Sequence, residues 1–246
     1  MPWLAILSIA IQVLLIIHCI KTGRNQIWIW VLALLSFAGA IAYVAVEVVP
    51  DLFRSRTAQR TARGVKKALD PNADLRRYES EARVAGNVAS RQRYAEALTR
   101  AGRYDEAISA HRANLSGLYE HDPDIMLGLA RAQFGKGDAA GARTTLDELI
   151  RANPEFKSPE GHLLYARALE AEGNKAKALE EYRVVAPGYP GAEATARLAQ
   201  LLAAEEQRDE ARKIARELLE QARIAPAHYR RAQKEWLDIA QKLAQG

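Results

Sequence analysis

The chain has a single cysteine, Cys19, in 246 residues. A lone thiol excludes a disulfide framework and any zinc site built from several thiolates. Beyond Pro71 the strand period is missing and helical spacing recurs, which predicts an all-α fold there. Also absent are a G-x-S-x-G elbow, a Gly-rich phosphate loop, a dinucleotide fingerprint and an H-E-x-x-H pair. Apolar residues are not scarce. They make up 49% of the chain against 26% charged, with a net charge of +5 and a mean hydropathy of −0.24. That balance excludes a disordered chain, which needs low apolar content and strong net charge.

The charge is unevenly spread. Leu4 to Ile20 has 17 residues without a charge, and after a polar link, Lys21 to Gln26, the run Ile27 to Val46 has 20 more. As helices these would measure roughly 26 and 30 Å, against a hydrocarbon core of about 30 Å. Residues 1–50 are therefore expected to form a transmembrane helical hairpin. Trp3, Trp28 and Trp30 stand at segment starts, where amphipathic rings favour the headgroup layer. Ser36, Ala38, Gly39, Ala40 and Ala42 offer a small-residue face for close helix approach. A cleaved signal peptide fits less well, because no Lys or Arg precedes the first run and a second run follows at once.

Residues 51–72 form a basic juxtamembrane linker. Residues 51–100 hold 12 basic and 6 acidic side chains. Arg54, Arg56, Arg60, Arg63, Lys66 and Lys67 follow the second run directly, so the positive-inside tendency predicts a cytoplasmic C-terminal part. The same six are candidates for anionic lipid headgroups. The run has no interleaved aromatics and no binding module, so no nucleic-acid partner is expected.

The stretch His18–Pro50, HCIKTGRNQIWIWVLALLSFAGAIAYVAVEVVP, resembles the two-helix N-terminal membrane segment of cardiolipin synthases and related phospholipase D-type proteins. Those enzymes carry a His-x-Lys-x4-Asp motif after the anchor. None of the five histidines here supplies it, so the resemblance implies an anchor and not a reaction.

Gly102, Gly137 and Gly173 stand 35 and 36 residues apart, and each is followed five residues later by an alanine: Ala107, Ala142 and Ala178. Ala211 continues the series after 33 residues, with Glu206 in place of the turn glycine. A period near 34 predicts stacked helix-turn-helix units. Gly ends the first helix in the left-handed conformation, and the alanine lets the second helix cross close to it. The segments GRYDEAISA, GDAAGARTTL and GNKAKALEEY resemble tetratricopeptide repeats. The resemblance implies a tetratricopeptide-type α-solenoid over 73–246, with repeats at about 88–121, 123–156, 159–190 and 192–225. A capping helix follows at 226–244, with Tyr229, Ala232, Trp236, Ile239 and Ala240 on one side.

In such an array the first helices line the inner groove. The resemblance places there Gln92, Glu96 and Thr99 from the first repeat, and Asp124, Leu127, Arg131 and Phe134 from the second. The third gives Glu160, Leu163, Arg167 and Glu170, and the fourth mainly Gln200. Arg131 and Arg167 hold equivalent positions. They are suited to an acidic or C-terminal carboxylate group on a peptide, or to pairing with Asp124, Glu160 or Glu170 within the groove. Carboxylate pairs such as Glu180-Glu181, Glu205-Glu206 and Asp209-Glu210 read as solvated helix faces. His111 and His121, with Asp122 and Asp124, lack the helical spacing of a metal site. His162 is expected in the core.

No cofactor, metal or enzymatic activity is expected. The functional expectation is a protein- or peptide-binding scaffold or assembly factor at a bacterial-type inner membrane, two-pass, with its repeats in the cytoplasm. The alternative is a non-catalytic accessory protein of phospholipid synthesis acting through the hairpin. Oligomeric state and partner identity are left open.

Overall fold

The computed structural model describes residues 2–22, 25, 27–34, 36–48, 70 and 72–245, without the side chains of 2–10, 33, 34, 36, 37 and 48. The basic side chains Arg54, Arg56, Arg60, Arg63, Lys66 and Lys67 lie outside the described residues, as does most of the 51–72 linker. Two compact units result, Met1–Ala73 and Asp74–Gly246. Every regular element among the described residues is helical.

The N-terminal unit departs from the expected hairpin. Helix α1 spans Pro2–Lys21. The second apolar run is not one helix but α2, Ile27–Leu34, and α3, Ser36–Tyr43, followed by a π-turn at Val44–Val48. It doubles back: a Cβ on Gly39 would lie 2.4 Å from the Val31 carbonyl oxygen, and the Trp28 and Tyr43 rings meet edge-on with centroids 5.4 Å apart. In a straight helix those rings would be separated by about 22 Å of rise. Gly39 lets the two short helices close, because any side chain there would strike backbone. No helix among the described residues is long and apolar enough to cross a membrane. Eight residues reach only about 12 Å, so the expectation of two membrane-spanning helices is corrected to a small three-helix bundle.

The second unit stacks antiparallel helix pairs. A leading helix, α4 (Ala73–Ala85), precedes the pairs α5/α6 (Val88–Arg100, Tyr104–Asn114), α7/α8 (Pro123–Lys136, Ala139–Ala152), α9/α10 (Pro159–Ala171, Lys175–Val185) and α11/α12 (Glu193–Ala204, Arg208–Ile224). Each second helix also packs on the next first helix. Local chemistry sets the boundaries. Asn87, Asp122 and Ser158 cap α5, α7 and α9 by accepting backbone N–H bonds, and Pro123 and Pro159 occupy the first turn, where no N–H is needed. Gly102, Gly137 and Gly173 end the first helices at φ +74°, +94° and +80°.

Ala107, Ala142, Ala178 and Ala211 are all buried, each where a second helix crosses its partner. Core clusters run through the stack, one around Met126, Leu146 and Leu164 and another around Leu169, Tyr182 and Leu202. The expected single capping helix is two: α13, Ala227–Ala232, and α14, Lys234–Gln245, broken at Gln233. The Gln233 carboxamide accepts the Ala192 N–H at 2.9 Å, which ties the break to the start of the fourth repeat. Helix α14 covers α11 and α12 with Trp236, Leu237, Ile239 and Ala240. It closes the apolar end that a solenoid must cap.

Candidate protein-binding groove

The first helices α5, α7, α9 and α11 present one face with an inter-repeat row of charge. Arg131 on α7 donates from Nη2 to Glu160 Oε2 on α9 at 3.2 Å, and the closest approach of the ion pair is Nε–Oε1 at 3.1 Å. One repeat further, Arg167 on α9 reaches Glu193 on α11 at 3.5 Å. Arg197 then donates to Glu193 at 2.9 Å and lies 3.9 Å from Glu170. Glu170 also accepts the Tyr182 hydroxyl at 2.6 Å. Burial, and next this bond, push the Tyr182 phenol well above its ordinary range. It therefore acts as a fixed donor. Two arginines also lie over rings: Arg167 is 4.8 Å from the Phe134 centroid and Arg197 4.8 Å from that of Trp236. The guanidiniums are held flat by ring and carboxylate together.

This places most of the expected site residues. Gln92, Glu96, Thr99, Phe134, Arg131, Arg167 and Glu170 are half-buried on this face, and Asp124, Glu160 and Gln200 are exposed. Leu127 and Leu163 do not line it. Both are buried in core clusters, Leu127 with its tip close to Gly161 of the next first helix, and neither offers a rung to a ligand. The arginines are paired with Glu160 and Glu193, so a ligand carboxylate would have to displace a protein carboxylate. Counting Glu96, Asp124, Glu160, Glu170 and Glu193 against Arg100, Arg131, Arg167 and Arg197 leaves the face at −1. Of the two sequence readings of these arginines, the charge and the pairs favour pairing within the groove over an acidic or C-terminal carboxylate group of a peptide. Among the described residues, Glu96 and Asp124 make no ion pair.

Two residues of the network were not in the expected set. Glu193 lies thirteen residues before Glu206, as Glu160 lies thirteen before Gly173, so it is the fourth repeat's equivalent of Glu160, and Arg197 stands one turn on, at the place of Gly128 and Leu164 in the earlier repeats. The signal was available in the Glu193–Arg197 spacing of four, which suits a helical ion pair. The histidines are also reassigned. His162 is exposed, while Gly161, Leu163 and Leu164 around it are buried. His111 is fully buried and His121 exposed, so the pair does not gather.

His111 lies at the base of the groove. It floors a hole of about 130 Å³ between α5 and α7, lined also by Glu96, Thr99, Arg100, Gly128 and Arg131. Neither ring nitrogen has a hydrogen-bond partner among the described residues. Burial, with a smaller part from the Arg131 charge, lowers its pKa from 6.5 to about 4. At neutral pH the ring is therefore uncharged, with one donor and one acceptor nitrogen.

The tetratricopeptide repeat family model matches residues 100–167. No curated protein matches the chain. Two solved structures of similar fold are that of MamA, with TM-score 0.53 and 20% identity, covering 64% of this chain and 93% of that one, and that of a thermophilic TPR protein in Thermus thermophilus. The latter has TM-score 0.53 and 18% identity and covers 76% and 95%. The likeness of His18–Pro50 to cardiolipin synthases finds no counterpart in these matches. Four stacked helix pairs, left-handed turns at the repeat period, buried crossing alanines and these matches together make the second unit a tetratricopeptide-type α-solenoid.

Proposed function

We propose that the solenoid is a protein-interaction scaffold whose first-helix face receives a partner segment, and that the N-terminal bundle tethers it to a membrane. The observation that carries the scaffold reading is the inter-repeat row Arg131–Glu160, Arg167–Glu193–Arg197–Glu170. It is open to solvent, yet its long side chains are already held by rings and carboxylates. A partner that exchanges hydrogen bonds with such a row meets little further ordering cost, which is the term that usually limits affinity. Exposed pairs of this kind add only about 0–1 kcal/mol each to the fold. Stability alone therefore gives weak grounds for a row of them.

The tether reading rests on the polarity of the N-terminal bundle. Leu14, Ile20, Ile27 and Trp30 are more than 60% exposed. The polar contacts, His18 Nδ1 with the Tyr43 hydroxyl at 3.0 Å and Trp28 Nε1 donating to Glu47 at 2.9 Å, join its helices instead. A surface of that kind is at home in hydrocarbon, where internal polar groups must find one another. Two full spans are not part of the reading.

The test is crosslinking of the full-length chain in membranes, followed by mass spectrometry of captured proteins. Arg131→Glu with Arg167→Glu should remove the partners captured by the wild type. The charge-swapped pair Arg131→Glu with Glu160→Arg controls for folding. An unchanged set of captured proteins in the double reversal sinks the scaffold reading.

A further inference from the structure

The connections between repeats lie along one edge of the stack, and they differ in what they do with their apolar residues. The second connection tucks Phe156 against the core and the third tucks Tyr189. The first tucks Leu115 but sends Leu118 and Tyr119 outward, with Leu118 fully exposed. This tip is held in place by its own bonds. The Tyr119 N–H donates to the Ser116 carbonyl at 3.2 Å, the Asp122 N–H to the Tyr119 carbonyl at 3.1 Å, and the Asn153 carboxamide to the His121 carbonyl at 2.9 Å. Holding an apolar side chain in water returns nothing to the fold. On the same edge, where the third connection meets α12 and α13, lies a hole of about 400 Å³. Half-buried Ala186, Tyr189, Ile214 and Tyr229 wall it, and Thr195 and the exposed Gln221 also line it.

We infer that this edge is a self-association surface, on which the Leu118–Tyr119 tip of one copy enters the hole of a second copy of the chain. The surface is separate from the first-helix face and does not rest on the scaffold reading. Charge selects a second copy as the occupant. Residues 115–124 around the tip carry Glu120, Asp122 and Asp124 and no Lys or Arg. Residues 221–234 beside the hole carry Arg223, Arg230, Arg231 and Lys234 and no Asp or Glu. Arg183 and Glu217, which also line the hole, cancel. Complementary patches of this kind orient partners and set their register. Topology points the same way. The tip follows the first repeat, and the hole lies between the third and fourth, both on one edge. A two-fold axis near the second connection therefore brings each tip to the other copy's hole. Once one contact has formed the second is intramolecular, so two small contacts act together. The fixed tip also meets little further ordering cost on entry.

The test is sedimentation of the full-length chain in density-matched detergent micelles over a range of concentrations, with helical circular dichroism as the check on folding. The wild type is expected to pass from monomer to dimer and no further. Leu118→Asp and Glu120→Arg alter exposed side chains and should leave the fold intact. The first should raise the dissociation constant by about tenfold or more, as loss of an apolar anchor does, and the second by less. Thr195→Trp, which fills the hole, and Gln221→Trp, which narrows it from an exposed position, should also weaken the dimer. A one-to-one mixture of Leu118→Asp with Thr195→Trp keeps one intact tip and one intact hole. It should form a heterodimer at concentrations where either variant alone is monomeric. Association through the apolar N-terminal bundle gives instead dimers that none of these substitutions weakens, and that result overturns the proposal. So does a wild type that stays monomeric, growth beyond two copies, or a mixture no more dimeric than its parts.

Discussion

Sixteen large apolar side chains are exposed among the described residues, and ten of them belong to the N-terminal bundle while six are scattered over the much longer stack. The interiors differ in the same sense. The bundle closes around Cys19, Leu32 and Tyr43, with His18, Trp28 and Glu47 joined across its helices. The stack closes around Ala, Leu and Ile, and its long ion pairs lie at the surface. Water rewards the second arrangement, because each buried CH₂ is worth about 0.8 kcal/mol. It gives no reason for the first. That contrast is the ground on which the proposed tether rests.

The strongest way to break that contrast is to give the bundle a water-compatible face. Leu14→Lys with Ile20→Lys alters two of its most exposed apolar positions. In a membrane each lysine costs roughly 2.5–3.5 kcal/mol near the centre of the apolar layer. The variant is expected to leave the membrane fraction on flotation while its helical circular dichroism is kept. Retention of the double variant with membranes, at the wild-type level, removes the tether.

Within the stack, the second helix of the first repeat buries His111 and Asn114 where the second and third repeats put Leu146 and Leu149, and Tyr182 and Val185. The His111 ring carries the larger effect. Its folded pKa of about 4 lies below the ordinary 6.5, so the unfolded chain binds the proton first as pH falls. The stability conferred by the neutral ring is complete above pH 6.5 and is lost progressively between there and about pH 4. The loss amounts to as much as about 3 kcal/mol by linkage. His111→Leu should erase this step from urea midpoints measured across that pH window, and should raise stability at neutral pH by about 1–2 kcal/mol as two unpartnered nitrogens disappear. A wild-type midpoint flat over the window shows that the ring has found partners, and the contrast between repeats then narrows.

What the residues foretold divides along physical lines. The turn glycines and crossing alanines were legible because each answers to one local demand, a left-handed φ or the absence of bulk, and recurs at a fixed interval. The Arg131–Glu160 pair was legible as one of two alternatives, since both residues sit on a mapped face. Leu127 and Leu163 were misplaced because a helical-wheel position says which way a Cα faces and not what the neighbouring helix fills. Glu193 was within reach of the same register, thirteen residues before Glu206 as Glu160 is before Gly173, whereas Arg197 falls where the earlier repeats hold Gly128 and Leu164, so the repeat carries no charge signal there. The doubling of the second apolar run was invisible to hydropathy, which does not register a reversal between Val31 and Gly39. His111 reads by residue type as a metal-ligand candidate, although its place four residues after Ala107 marks a core position.

The smallest effect is the cleanest, because it concerns backbone alone. At the ends of α5, α7 and α9 the same hydrogen bond recurs: Arg103 N to Leu98 O at 3.0 Å, Asp138 N to Gln133 O and Asn174 N to Leu169 O, both at 2.9 Å. The fourth turn repeats it, Gln207 N to Leu202 O at 2.9 Å, with Glu206 at φ 61° in the place of glycine. The left-handed conformation costs a non-glycine residue roughly 1–2 kcal/mol, because its Cβ crowds the following carbonyl. Around the three turn glycines a Cβ would meet no neighbour within 4 Å, so the cost is one of φ and not of packing. The Glu206 side chain is exposed, and its 3.0 Å contact with Arg208 offsets little of that cost. Glu206→Gly should therefore stabilise the stack, less the greater unfolded-state freedom of glycine, by about 0.5–1 kcal/mol net. Gly173→Glu should lose a similar amount at the equivalent turn. Urea unfolding of the two variants, singly and combined, measures both. Equal and opposite shifts that cancel in the combined variant make the fourth repeat a full member of the stack, in which every turn answers to the same backbone constraint. A loss of stability in Glu206→Gly places the stabilising weight of that turn in the glutamate side chain instead.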